Sequence, residues 1–420
     1  MSDFFDAQET RDPAAREAAL LAALPGQVAR AQQASPAMAE LLDGIDARAV
    51  TSRAALATLP VLRKHELLER QKAQRADDPF GGYSAIGWKG VAGGRGAKRV
   101  FQSPGPIYEP EGIAGDYWRM ARAIYAAGFR ENELVHCSFS YHLTPAGAMM
   151  EAGAHAIGCT TFAGGIGNTE LQLQAVADLR PHGYIGTPSF LKILVEKAAE
   201  TGARIGSITK AMVGGEAFPP SLRDWLRERG IEGYQSYATA DAGLIAYETT
   251  AREGLVLDEA VILEIVRPGT GDPVNDGEVG EVVVTVLNPD YPLIRFGTGD
   301  LSAVLPGPCP TGRTNARIRG WLGRADQTAK VRGMFVHPSQ VAEIVRRHPE
   351  VVRARLVVSG EMANDRMTLR AEVANAPDGL AAAIATSIRD ITKLRGEVEF
   401  TPPGGLPNDG KVIEDARSYS

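Results

Sequence analysis

Three short segments carry side chains suited to handling a phosphorylated ribonucleoside. The run LIRFGTGD (293–300) ends on Asp300. A carboxylate presents two acceptor oxygens that match a vicinal diol, so Asp300, in a loop after an apolar strand, is a candidate ribose ligand. An aspartate that caps a turn is the plainer alternative. The run GRADQTAKVRGMFVHPSQV (323–341) holds Arg324, suited to phosphate or ribose oxygens, and Asp326, placed as a hinge. Hinges sit at element ends and absorb backbone rotation; an ordinary surface loop would read the same way. The run LPNDGK (406–411) ends on Lys411. On a glycine-containing turn its compact ammonium can meet an α-phosphate and a carboxylate together, or it is an exposed loop lysine.

The elements that must position these residues are legible from periodicity. Residues 13–35 have leucine at helical spacing and read as a solvated amphipathic helix, broken near Ser35-Pro36. LPVLRKHELLERQKA (59–73) reads as an extended segment running into a helix, while 79–110 is glycine-rich and gives no clear pattern. From 112 to about 240, helices (115–127, 145–153, 169–178 and the SFLKILVEKAAETG and PSLRDWLRERG runs) alternate with short apolar strands (133–139, IGCTTFA, YIGTPS, KAMVGGE, EGYQSYA). That alternation predicts a largely parallel sheet flanked by helices. Residues 254–304 change to strand-like runs, ILEIVR, GEVVVTVL and YPLIRF, separated by turns, which predicts an antiparallel β region. PGPCPTGRTN (306–315) is a turn-dense connector. After it a fresh segment begins, with helices expected at 338–348 and 378–394 and strands near 351–358 and 367–374. The expected architecture is α/β (α+β): a large domain over 1–322 with parallel sheets, helices and a small β region, and a small mobile α+β domain over 323–420.

Bulk properties exclude several functions. The chain has 420 residues, 44% of them hydrophobic, which is too long for one ordinary core. Its net charge is −6 and its Lys and Arg are scattered, so a nucleic-acid partner is not expected. No apolar run is long enough to span a bilayer, and the start MSDFFDAQETRDP lacks the order of a signal peptide. The cysteines Cys137, Cys159 and Cys309 are far apart, with neither a disulfide framework nor paired metal-ligand spacing. A cytoplasmic enzyme is the expectation.

In order and spacing, the segments resemble the adenylate-forming superfamily, and within it the phenylacetate–CoA ligases. LPVLRKHELLE resembles the family's early LP-x-x-x-K-x-x-L; IGNTELQLQAVADLRPHGYIGTPSFLKIL resembles GGNTERQ…TPSY; VGGEAFPPSLR resembles the GGEPW segment. LIRFGTGDLSAVLPGPCPTGRTNARIRGWLGRAD follows LIRYRTRDIT…GPCPCGRTHPRI…GRSDD almost position by position, and VRGMFVHPSQVAEI is similar to RGVNVFPSQIE. The resemblance implies an ATP-dependent, AMP-forming ligase that activates an aryl or other carboxylic acid as an acyl-adenylate and transfers it to CoA, with Mg²⁺ as cofactor. Residue by residue it implies that Gly214, Gly215 and Glu216 line the adenine. It places Tyr237, Ala238 and Thr239 against the purine and α-phosphate. Asp300 would hold the ribose, Arg324 ribose or phosphate, Asp326 the hinge, and Lys411 would catalyse adenylation. Phe139, Tyr141, His142 and Ala240 would line the acid pocket, although core packing explains Phe139 and Tyr141 as well. A homodimer fits the expectation.

Three departures from the family pattern stand out. The phosphate loop SSGTTGKP is here SPGPIYEP (103–110). Ser103 and Gly105 remain as candidate phosphate contacts, but two prolines remove N–H groups, and Glu109 stands where a lysine would meet phosphate. Weak polyphosphate binding follows as an expectation. YGLSE is YATAD, so Asp241 replaces the glutamate that holds Mg²⁺; it still offers hard oxygens on a shorter stem. The second cysteine of CPCG is Thr311, which removes one thiolate from any zinc set at Cys309. Three alternatives to the CoA ligase follow: an adenylating enzyme with a different acceptor, a nucleotide-binding relative whose chemistry has lapsed, and a protein that holds the nucleotide in a pose unlike that of its relatives.

Overall fold

Helix and strand alternate through the middle of the chain because each helix is capped and striped locally. The helix Pro188–Thr201 shows how. Thr187 Oγ1 accepts from the Phe190 N–H, Pro188 occupies the first turn, where its missing donor costs nothing, and Gly202 ends the helix at φ +72°. Leu191, Leu194, Val195 and Ala198 form the buried stripe.

In the computed structural model every residue is described except 1–2, 93–95, 326–328, 333, 337, 361–363, 408–410 and 418–420. The chain divides into two compact units, residues 1–323 and 324–420.

The larger unit is built on a nine-stranded sheet. Its parallel half comprises β4 (Leu134–Cys137), β5 (Thr160–Ala163), β6 (Gly183–Gly186), β7 (Lys210–Val213) and β8 (Glu232–Thr239), in the order β5-β4-β6-β7-β8. Helices Ala146–Ala156, Thr169–Leu179, Pro188–Thr201 and Pro220–Arg227 make the crossovers. β8 then turns back into β9 (Gly243–Glu248), and β10 (Leu255–Leu257), β15 (Arg317–Ile318) and β14 (Val304–Leu305) continue the sheet antiparallel.

A second sheet has the order β1-β13-β12-β11: β1 (Leu62–Arg63), β13 (Phe296–Ser302), β12 (Gly280–Val286) and β11 (Val261–Val266). A hairpin of β2 (Ala97–Ser103) and β3 (Ile107–Gly112) occupies the stretch that periodicity left unassigned.

Two expectations are corrected. The helix expected over 115–127 is short, Ala121–Ala126, because the Asp116 carboxylate accepts from the Met120 and Ala121 N–H groups, 2.9 Å each, and fixes a late start. The first helix, Pro13–Ala34, is not merely solvated. Leu20, Leu24, Val28 and Ala31 enter the core, and Gln27 donates to the carbonyls of Val286 and Asn288.

The smaller unit carries β16 (Ala329–Val331) and β17 (Met334–Val336) as a hairpin. Its four-stranded sheet β20-β19-β18-β21 comprises Glu397–Thr401, Arg366–Val373, Val351–Ser359 and Ile413–Asp415. Helices Pro338–Arg347 and Leu380–Thr392 pack on it through Val341, Ile344, Ile384 and Ile388. The chain is therefore α/β, with a mixed sheet in each unit.

Candidate functional site

In open α/β sheets, ligands bind outside the carboxyl ends of the parallel strands. The candidate residues of the larger unit gather along that edge. β4 leads into Phe139, Tyr141 and His142, β7 into Gly214, Gly215 and Glu216, and β8 carries Tyr237, Ala238 and Thr239 before Ala240 and Asp241. β7 adjoins β8, whereas β4 lies three strand spacings from β8, ~14 Å along the edge. Phe139 is buried, Tyr141 half-buried and His142 exposed. A Cβ on Gly147 would come within 2.9 Å of the Tyr141 ring, so this glycine makes room for it. Burial pushes the Tyr141 hydroxyl pKa up. Gly214 is buried, Gly215 is exposed at φ +76°, and Glu216 is half-buried.

Asp300 lies inside β13 and not in a loop beyond it, as the sequence suggested. The strand begins late because Arg295, at φ +47°, breaks the extended run, so that YPLIR precedes the strand and does not form it. Asp300 is 8% exposed. Its Oδ2 accepts from the Tyr237 hydroxyl at 2.9 Å, its Oδ1 from the Trp321 indole N–H at 3.0 Å, and its backbone N–H donates to Thr298 Oγ1. A tyrosine on β8 and a tryptophan in the loop after β15 thus hold the carboxylate of a β13 residue from two sides. A carboxylate presents two acceptor oxygens, the pattern that a vicinal diol matches.

Residues 103–110 form no open cradle. Ser103 pairs with Ile107 across the β2–β3 hairpin, and Pro104, Gly105 and Pro106 make the turn. Glu109 does not project outward as its position in the motif suggested. It is 1% exposed, on the same face as Ser103, whose hydroxyl donates to Glu109 Oε1. Gln71, on the helix Lys64–Gln74, fixes the hairpin by bonding both the N–H and the carbonyl of Tyr108.

From the first turn of that helix Lys64 reaches Asp241 Oδ2 at 2.6 Å. Asp241 is 5% exposed at the tip of the β8–β9 hairpin. Burial, then the Asp241 charge, holds the Glu109 carboxyl well above the usual carboxylate range, with Lys64 and Ser103 pulling the other way. Burial and the same two carboxylates raise the Tyr291 hydroxyl pKa.

In the smaller unit Arg324 is half-buried and Lys411 exposed. Val412, next to Lys411, accepts a hydrogen bond from the Leu356 N–H, which ties the lysine's base to β18. Asp326 lies outside the described residues. Cys309 is buried beside the Thr311 and Thr249 hydroxyls, 3.1 and 3.9 Å from its sulfur.

Compared with known proteins, the chain is 30% identical over 317 residues to a phenylacetate–coenzyme A ligase of Thermus thermophilus, covering 69% of this chain and 71% of that one. The chain belongs to the phenylacetate–CoA ligase family. The phenylacetate–coenzyme A ligase of Aromatoleum evansii is 29% identical over 346 residues, covering 79% of this chain and 75% of its own. Residues 117–286 match the AMP-binding enzyme family. Across its whole length the fold is similar to a crystal structure of 2-hydroxyisobutyryl-CoA ligase in complex with 2-HIB-AMP and CoA, with a TM-score of 0.82, 23% identity and 93% of that chain covered.

Sequence reasoning about this family member missed three site residues. Lys64 stood in a quoted motif, LPVLRK, but 177 positions from its partner Asp241. Trp321 stood in WLGRAD, one turn before the domain junction, with no local sign that its indole meets Asp300. Tyr291 reads locally as one more apolar position. None of the three contacts is short-range, so no periodicity reveals them.

Proposed function

We propose that this chain is an AMP-forming acid–thiol ligase. A carboxylic acid attacks the α-phosphate of ATP to give an acyl-adenylate and pyrophosphate. The CoA thiol then attacks the acyl carbon and AMP leaves. The observation that supports this most is Asp300, held rigidly by Tyr237 and Trp321 beside the strand-edge residues, an arrangement suited to a ribose.

In this reading Gly214, Gly215 and Glu216 line the adenine, and Tyr237, Ala238 and Thr239 take the purine face and α-phosphate. Phe139, Tyr141, His142 and Ala240 line the acid pocket, where buried aromatic surface suits a flat aryl group. Arg324 meets ribose or phosphate. Asp326 is the hinge about which residues 323–420 turn as a lid between half-reactions, and Lys411 enters for adenylation. Asp241 fits Mg²⁺, because its buried Oδ1 has no protein partner and hard carboxylate oxygen suits that ion; when bound, the cation would neutralise phosphate charge. No helix among the described residues is long and apolar enough to cross a membrane; a cytoplasmic location and a homodimer belong to the same reading.

The test is a panel of aryl and alkyl carboxylates with ATP, Mg²⁺ and CoA, read by release of AMP and pyrophosphate. One acid giving both products and a thioester supports the assignment. The closed β2–β3 hairpin favours a second reading, an adenylate-binding relative that no longer uses ATP. AMP binding with no AMP release from any acid would select it.

For Asp300→Ala, AMP affinity is expected to fall by about 1.5–3 kcal/mol, the range for losing hydrogen bonds to a charged group. Calorimetry with AMP and 2′-deoxy-AMP checks it. Wild type should prefer AMP and the variant should not distinguish the two. A wild type indifferent to the 2′-hydroxyl would refute the ribose role.

A further inference from the structure

The segment IGNTELQ (166–172), one of those that resemble the family, has no part in the reaction proposed above. Its last residue, Gln172, lies on the helix Thr169–Leu179 and is 3% exposed. Gln172 Nε2 donates to the carbonyls of Gly165 and Gly167, at 2.9 and 2.7 Å, and its Oε1 lies 2.7 Å from His136 Nε2. The two carbonyls only accept, so they fix which end of the amide faces them. Oε1 is left towards His136, and the imidazole therefore carries its proton on Nε2. His136, on β4 and buried, stacks between its cross-strand neighbours Phe162 of β5 and Tyr184 of β6, with ring centroids 5.3 and 6.3 Å away. Burial lowers its pKa, which suits a neutral ring that donates from one nitrogen.

The loop that Gln172 holds also returns to β4 through its backbone. The N–H groups of Gly164 and Gly165 both donate to the Cys137 carbonyl, at 2.8 and 3.2 Å. A Cβ on Gly164 would come within 2.8 Å of Gln172 Oε1 and 2.9 Å of His136 Nε2, so the glycine lets the loop close on the pair. On its other flank β4 is held by β6. The Ser138 N–H donates to the Ile185 carbonyl, and the Ser138 hydroxyl to Tyr184 Oη, which donates in turn to the Thr187 carbonyl. Residues 136–138 are thus fixed from two sides. Phe139 follows directly and Tyr141 two residues later.

We propose that Gln172 is a positioning residue for the acid: by tying the loop 164–168 to His136 it fixes the exit of β4 and, through it, Phe139 and Tyr141. The proposal rests on the reading that those two side chains line the acid pocket. A glutamine that only filled the core would be replaceable by any side chain of its volume. Gln172 instead bridges a loop and a strand end, and a fully satisfied buried network admits one arrangement of the two. Its three partners lie on the β4–β5 side of the sheet, away from β7 and β8. Its loss should therefore be felt by the acid and not by the nucleotide.

The experiment compares Gln172→Met, which keeps the volume, with Gln172→Glu, which keeps an acceptor for His136 and loses the amide N–H donors. Hydrogen exchange is read first, without substrate, at the Gly164, Gly165, Ser138 and Gly147 amides. The Gly147 N–H donates to the Ser140 carbonyl and so reports the run beyond β4. Both variants are expected to exchange these amides about tenfold faster or more, with the amides of β7 unchanged. With an acid that wild type activates, kcat/KM for the acid is expected to fall about tenfold to 10²-fold in both variants while KM for ATP stays as it was. Wild-type exchange at Ser138 and Gly147 in the variants, faster exchange with unaltered acid kinetics, or equal losses towards acid and ATP would each overturn the proposal. So would Gln172→Glu behaving as wild type, or wild-type ring nitrogen shifts that put the His136 proton on Nδ1. If wild type activates no acid, the ligase reading fails by itself, and the exchange at Ser138 and Gly147 separates that failure from a failure of Gln172 to fix the end of β4.

Discussion

Lys411→Ala is expected to lower acyl-adenylate formation by roughly 10²–10³-fold while leaving thioester formation from a supplied acyl-adenylate nearly unchanged. The size follows from what the ammonium is proposed to do. Negative charge passes from the attacking carboxylate to the α-phosphoryl oxygens and the departing pyrophosphate, and one preorganised donor aimed at such charge contributes about 2.7–4 kcal/mol. The asymmetry follows from the chemistry of the two steps. In the second, the attacked centre is an acyl carbon and AMP leaves with the bonding pair, but in the proposed cycle residues 323–420 have turned by then and Lys411 no longer stands at the phosphate. The base of Lys411 is secured at the neighbouring Val412 by β18, while its own side chain is exposed, as a residue that must enter and leave a site requires. Lys411→Arg should not restore the first step, because a planar fork does not replace a compact point charge. The measurement is AMP and pyrophosphate release from the acid, set beside thioester formation from synthetic acyl-adenylate and CoA. Equal losses in the two, with the fold retained, would sink the assignment.

The strand-and-helix alternation of the parallel sheet was legible because each of its elements is determined locally. Thr187-Pro188 starts a helix and Gly202 stops it whatever lies nearby. The carboxyl edge was legible for the same reason, since knowing where β7 and β8 end places Gly214 to Glu216 and Tyr237 to Asp241 along one rim.

Side-chain pairing was not legible. Glu109 read as an outward charge because its motif position faces phosphate in the family. Yet Pro104 and Pro106 lie in the turn of a tight hairpin whose alternation turns Glu109 inward with Ser103. Asp300 read as a loop residue because the apolar run before it looked like the strand. The strand begins only after Arg295, and the reason for that lies in residues 24 to 238 positions away.

Arg295→Met is expected to destabilise the larger unit by about 3–5 kcal/mol, the cost of leaving one member of a buried ion pair uncompensated. Arg295 is 2% exposed, and all five of its guanidinium N–H groups are used. Nε and Nη2 donate to the two oxygens of Glu264 at 3.0 Å each, Nη2 also to the Gly271 carbonyl at 2.7 Å, and Nη1 to the carbonyls of Ala57 and Leu59. Burial already raises the Glu264 pKa, and Arg295 is what pulls it back towards the ionised range. Removing the guanidinium therefore strands a buried carboxylate and three carbonyls at once.

The consequence should reach the candidate site. The Arg295 carbonyl accepts from the Leu62 N–H, β1 is registered on β13 through Leu62–Phe296 and Arg63–Gly297, and the next residue is Lys64. The same arginine thus sets both the start of the strand that carries Asp300 and the segment that delivers Lys64 to Asp241. Urea unfolding should show the midpoint fall, and hydrogen exchange should show amides 57–63 losing protection before the parallel sheet does. Arg295→Lys should recover little, because an ammonium cannot span Glu264, Gly271 and the 57–59 carbonyls. Arg295→Met combined with Glu264→Leu should recover a large part, because it removes the stranded charge. A single variant as stable as wild type, or a double variant worse than the single, would show that the ion pair does not hold this corner of the fold.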